Sequence, residues 1–119
     1  MKRNMDLIRE ILLNIEEQPP GEPIRTLNLP SEWSSGEVIG HLRLIEQAGL
    51  IDGNLKFRGD QAMMAIHGLS NEGHDLIDSI RSETVWAETK ERVSKVGGTV
   101  ALDVVKLVAG AVASKLLGL

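Results

Sequence analysis

The chain has 119 residues, 13 Lys+Arg against 17 Asp+Glu for a formal net charge of -4, and no cysteine. That length holds one ordinary core, and the missing cysteines exclude disulfides, thiolate zinc sites and cysteine nucleophiles. With 42% hydrophobic and 25% charged residues the chain is neither disordered nor fibrous, and two Trp, one Phe and no Tyr leave no aromatic platform for single-stranded nucleic acid.

His41, His67 and His74 lack the close spacings that metal sites use. No uninterrupted apolar segment followed by a small-residue cleavage site opens the chain, so a signal peptide is not expected. These features lead to the expectation of a small cytoplasmic protein without catalytic residues, metal or cofactor.

The first helix is expected over Asn4–Glu17, because Ile8, Ile11, Leu12 and Ile15 recur at i, i+3, i+4 and i+7 with Met5 on the same face. Gln18-Pro19-Pro20-Gly21 ends it, since proline lacks the donor and its ring blocks the preceding turn. Ile24–Leu29, closed by Pro30, reads as a brief strand. Ser34 opens a second helix through a capping box with Glu37. Val38, Leu42 and Ile45 line its core side, and Gly49 supplies the left-handed stop. Ile51–Arg58 and Gln61–Gly68 read as a β-hairpin with a Gly59-Asp60 tip. Ser70 caps a third helix carrying His74, Leu76, Ile77 and Ile80. A fourth, from Ser82 to Val96, presents Val85, Trp86, Thr89 and Val93. Gly97-Gly98 breaks it, and a last helix covers Thr99–Leu117.

The order helix, short strand, helix, hairpin, helix outlines a winged helix. The expected fold is therefore α+β and mostly helical, with a winged helix-turn-helix-like domain over residues 1–81 and a helical extension over 82–119. The opening Met1–Arg9, the segment His41–Ile51, the segment Leu69–Asp78, then Thr84-Val85-Trp86 and Gly97-Gly98 with its apolar tail resemble a bacterial and prophage family of unknown function, similar to the YjcQ-like winged-helix proteins. The resemblance spans nearly the whole chain. It implies a winged-helix fold and a phage or mobile-element setting, and it implies no activity or catalytic residue. One departure stands out: Pro19 to Ser34 has room for a strand but hardly for the positioning helix of a standard helix-turn-helix.

On the second helix, Gly36, Gly40, Arg43 and Gln47 lie opposite the core side. Arginine bonds guanine bidentately and glutamine bonds adenine, so Arg43 and Gln47 are candidates for reading bases. A helix-interior glycine costs about 1 kcal/mol against alanine, which points to a contact or packing role for Gly40. Lys56 and Arg58 flank the hairpin tip and, with Arg25, are candidates for phosphates. The alternative is a solvated Arg43 and a solvated hairpin tip. His41 and His74 are expected to be structural.

The apolar tail from Val100 onward is interrupted by Asp103, Lys106 and Lys115, which makes a spanning helix expensive. Val100, Ala101, Val104, Val105, Val108, Ala111, Val112 and Leu119 form a wide apolar arc. Thr99, Asp103, Lys106, Gly110 and Ser114 form a narrow polar strip. Such an arc needs a cover. Homo-oligomerisation through 83–119, using Trp86, Val100, Val104, Val105, Val108, Ala111 and Val112, is the first reading. Packing within the chain is the second, and membrane association, with Lys115 snorkelling, is the third.

Two functions remain open from sequence alone. One is a non-enzymatic phage or prophage transcriptional regulator that binds double-stranded DNA as an oligomer. The other is a protein-interaction module whose winged helix is a scaffold for a host or phage protein. The net negative charge favours the second, and Arg43 with the hairpin favours the first.

Overall fold

The computed structural model describes residues 1–59, 61–95 and 101–118. The described residues form α1 (Met5–Glu17), α2 (Ser35–Gln47), β1 (Ile51–Arg58), β2 (Gln61–Leu69), α3 (Asn71–Ile80), α4 (Glu83–Ser94) and α5 (Leu102–Leu116). Over the described residues the fold is α+β, with five helices and one two-stranded antiparallel sheet. The chain divides into two compact units, Met1–His74 and Asp75–Leu119. This division falls within α3, seven residues before the end of the 1–81 domain expected from sequence.

In the first unit, the periodic face of α1 forms the core: Leu7, Ile8, Ile11, Leu12 and Ile15 are all buried. Asn4 caps this helix, its Oδ1 accepting the backbone N–H groups of Asp6 at 2.9 Å and Leu7 at 3.4 Å. Two of the helix's unpaired first-turn amides are thereby satisfied. The helix packs on α2 and β2, and α2 packs on both strands. Leu42 and Ile45 of α2 meet this core, with Ile66 and Leu69 of β2 buried as well.

The capping box of α2 forms as its residues require. Ser34 Oγ accepts the Glu37 N–H at 3.1 Å, and Glu37 Oε1 accepts the Ser34 N–H at 3.3 Å. At the other end Gly49 takes φ +71°, a conformation a Cβ would disfavour. Leu50 then leads into the hairpin. Ser70 locks the hairpin's base: its Oγ donates to the Gly49 carbonyl at 2.5 Å and accepts the Gly73 N–H at 3.0 Å, which also caps α3.

Antiparallel pairing runs from Ile51↔Leu69 to Arg58↔Gln61. The register shifts between Asp52 and Gly53, so His67 is an extra residue on β2 and forms a bulge. At the tip Gly59 has φ +57°, and Asp60 lies outside the described residues.

The strand expected over Ile24–Leu29 is reduced to a single antiparallel bridge. Ile24 and Ile66 exchange N–H···O bonds of 2.8 and 2.9 Å, after which the segment leaves β2. Two causes are visible. Pro23 and Pro30 have no donors for a ladder, and the Asn14 amide of α1 donates to the Asn28 carbonyl at 2.7 Å, holding the segment towards α1.

In the second unit α4 packs against α5. Ser82 caps α4, accepting the Val85 N–H at 3.3 Å. Val85, Trp86 and Thr89 of α4 and Val105, Ala109 and Val112 of α5 are buried. The Thr89 hydroxyl donates to the Val85 carbonyl at 2.6 Å, which satisfies it inside the helix. Gly97-Gly98, expected to separate these helices, and Thr99, expected to open the last one, lie outside the described residues. None of the described helices is long and apolar enough to cross a membrane.

Candidate nucleic-acid interface

The exposed side of α2 carries Gly36, Arg43 and Gln47, all open to solvent. Nothing lies near Gly36, whereas a Cβ on Gly40 would stand 2.5 Å from the Met1 Sδ. The N-terminal residues therefore run along α2, and Gly40 leaves room for the Met1 thioether. Asn4 sets this path, because its backbone N–H donates to His41 Nε2 at 2.8 Å. The other ring nitrogen of His41, Nδ1, is 2.7 Å from the Glu37 carbonyl. A backbone N–H only donates and a carbonyl only accepts, so the ring carries its proton on Nδ1. His41 is buried and fully used in structure.

Arg43 does not stand alone in solvent. Its guanidinium lies 4.6 Å from the centroid of the Phe57 ring, a cation–π contact worth about 0.5–1 kcal/mol at an exposed site. This ties the exposed side of α2 to β1 near the hairpin tip. Phe57 alternates with Lys56 and Arg58, and alternate strand residues point to opposite faces. Phe57 is half-buried while Lys56 and Arg58 are exposed. The two basic residues thus occupy the ribbon's other face, beside Met63 and Gln61 across the strands.

Arg25 is exposed just past the Ile24 bridge, on the β2 side of the hairpin. Among the described residues Arg25, Lys56 and Arg58 have no ion-pair partner. The five candidates therefore fall in three places: Arg43 and Gln47 on α2, Lys56 and Arg58 on the outer hairpin face, and Arg25 on the far edge. Asp52 shares the outer face with Lys56 and Arg58, which dilutes its positive charge.

Phe57 and Met63 were not singled out from sequence. Strand alternation alone puts Phe57 on the inner face, but its contact with Arg43 depends on where α2 crosses. Met63 is 76% exposed on the outer face, opposite Lys56 near the hairpin tip. His67 and His74 are exposed and border a cleft of about 190 Å³ together with Glu16 and Glu22. Among the described residues no three His, Asp or Glu side chains are grouped to hold a metal ion.

The residues considered for an interface between copies separate into two sets. Trp86, Val105 and Val112 are buried within the chain, where α4 meets α5, and Val108 is half-buried. Val104 and Ala111 remain exposed, and Leu107, at 74%, extends the same stripe. Val100 lies outside the described residues, as does Leu119. Lys115 approaches Glu88 of α4 at 4.0 Å and Lys106 approaches Asp75 at 3.8 Å, exposed pairs worth little individually.

A family model described as "Hypothetical protein (DUF2513)" matches residues 2–99. An uncharacterized protein of Haemophilus influenzae is 33% identical over 117 residues, covering 98% of this chain and 99% of the relative. No solved structure matches the chain.

Proposed function

The chain belongs to the DUF2513 family, and we propose that it is a non-enzymatic, winged-helix-type regulator that binds double-stranded DNA as an oligomer in a phage or prophage setting. The observation that carries this reading is the placement of α2 beside the hairpin, with Arg43 on Phe57 and Gln47 free at the helix end. The isolated Ile24–Ile66 bridge lies where a third strand would pair with β2, which favours a likeness to YjcQ-like winged-helix proteins. In this reading Arg43 and Gln47 contact bases, and Arg25, Lys56 and Arg58 hold phosphates.

Fluorescence anisotropy with duplex DNA at about 50 mM salt, the condition most favourable to phosphate-driven binding, tests it. Binding is expected, and Lys56→Ala and Arg58→Ala should each lower the salt slope by about one. No binding to any duplex at that salt overturns the DNA reading.

A second reading is favoured by Met63. A large apolar side chain, 76% exposed on the hairpin's outer face, suits a protein partner better than phosphates, and the net charge of -4 agrees. Here the domain is an interaction module for a host or phage protein. A stoichiometric partner captured by wild type and lost with Met63→Asp, in a protein that binds no DNA, is its signature.

A further inference from the structure

Strand β1 pairs with β2 along one edge, and among the described residues no segment pairs along its other edge. Hydrogen bonds at two places fix which backbone groups face that open edge. At the base of the hairpin the Leu50 carbonyl accepts the Ser70 N–H at 3.0 Å. On β2, Ile66 turns its N–H and carbonyl outward to Ile24, so Gly53, opposite it, turns its own away from β2. Alternation then gives the backbone groups of Asp52, Asn54, Lys56 and Arg58 to β2 and leaves those of Gly53, Leu55 and Phe57 facing outward. The side chains of Leu55 and Phe57 stay only half-buried on the inner face, while Asp52, Asn54, Lys56 and Arg58 are exposed on the outer face.

We infer that this edge pairs antiparallel with β1 of a second copy, with Asp52 opposite Arg58 and Leu55 opposite Leu55. Two identical strands are complementary in this register. Asp52 of each copy meets Arg58 of the other, so a two-fold arrangement forms this favourable cross-strand pair twice. Lys56 meets the neutral Asn54. On the inner face Phe57 falls opposite Gly53, whose bare backbone leaves space for a ring. The outward groups of Gly53, Leu55 and Phe57 meet one another and complete the ladder. A slide of two residues one way sets Lys56 against Lys56. The same slide the other way gives Asp52 to Lys56 but leaves Arg58 opposite the apolar Leu50. A slide of one residue sets outward groups against groups already bonded to β2. Lysine and arginine on an edge ordinarily discourage pairing, and Asp52 turns the same charges into a match for this one partner.

A ladder this short belongs with weak, transient contacts. It aligns copies that are already close and does not by itself set the mass of the particle in solution. It uses residues of the first unit alone, so it stands or falls apart from the stripe on α5.

The chain has no cysteine, so a single introduced thiol forms disulfides only between chains. Leu55→Cys places two thiols opposite each other with Cα atoms about 5.5 Å apart, within reach of a disulfide. Asn54→Cys and Lys56→Cys leave them out of step at about 8 Å, beyond that reach. Under mild oxidation of the full chain, Leu55→Cys should cross-link at least about five times faster than either. Random collision gives the opposite order, because positions 54 and 56 are exposed and Leu55 is half-buried. In the Leu55→Cys chain, Asp52→Arg or Arg58→Asp alone should slow cross-linking about five-fold, and the two together should restore it. In wild type, raising the protein from dilute to millimolar concentration should shift the NMR signals of the Gly53, Leu55 and Phe57 amides more than those of Asn54, Lys56 and Arg58. That measurement reads the same edge without any variant. Faster cross-linking at 54 or 56, a loss that the charge swap does not restore, or amide shifts without this alternation each overturn the proposal. No DNA is present in either measurement, so the outcome is separate from the reading of Arg58 as a phosphate contact.

Discussion

His41 shows how a single side chain joins elements remote in sequence. Its ring takes the Asn4 N–H on one nitrogen and gives its proton to the Glu37 carbonyl with the other. His41→Ala leaves a partly buried amide unpaired and opens a cavity, so a loss of about 2–4 kcal/mol is expected in urea denaturation. His74→Ala, at an exposed position, should stay within about 0.5 kcal/mol of wild type. Equal effects would show that His41 does not pin the N-terminal residues. The glycines make a second contrast. Gly36 is open on all sides, whereas a Cβ on Gly73 would collide with the Leu50 carbonyl. Gly36→Ala should be neutral to stabilising by up to about 1 kcal/mol, and Gly73→Ala should destabilise by about 1–3 kcal/mol through overpacking. Melting curves of the two variants that shift in the same direction would refute this account.

At the scale of elements, local chemistry accounts for most boundaries. The Ser34–Glu37 capping box starts α2 and Gly49 ends it, and both features stand in the sequence as a serine three residues before a glutamate and a glycine after the apolar stripe. Ser34→Ala should cost about 1 kcal/mol, with faster hydrogen exchange confined to the first-turn amides, including that of Glu37. Unchanged exchange there would mean that the cap contributes nothing. Helix α1, the hairpin and the caps of α3 and α4 were legible for the same reason, since their signals lie within a few residues of each other. Ile24–Leu29 was not. Its apolar residues suited a strand, but strands form only against a partner. The pull of Asn14 on Asn28 comes from a helix ten or more residues earlier.

At the scale of the molecule, the open question is what covers α5. Its inner face is covered by α4, which accounts for Trp86, Val105 and Val112. Val104, Leu107 and Ala111 are left as an uncovered stripe, and the proposed oligomer uses it. Light scattering at high concentration should give more than one chain per particle for wild type and a single chain for Leu107→Asp. Single-chain mass for both removes the oligomer from the proposal. Pairing of two chains would also raise DNA affinity by linking two sites, so Leu107→Asp should weaken DNA binding without altering Arg43 or Lys56.

The helices, the hairpin, their caps and the absence of cysteine chemistry were readable from the order of residues alone, because propensity, periodicity and capping act over a few residues. That order also identified the basic residues, but not their arrangement. Three-dimensional packing was needed to show that Arg43 rests on Phe57 while Lys56 and Arg58 face the other way, that Ile24 makes one bridge instead of a strand, and that part of the apolar tail is covered by its own chain. Each of these depends on how one element crosses another, and that crossing is set by the packing of the whole core.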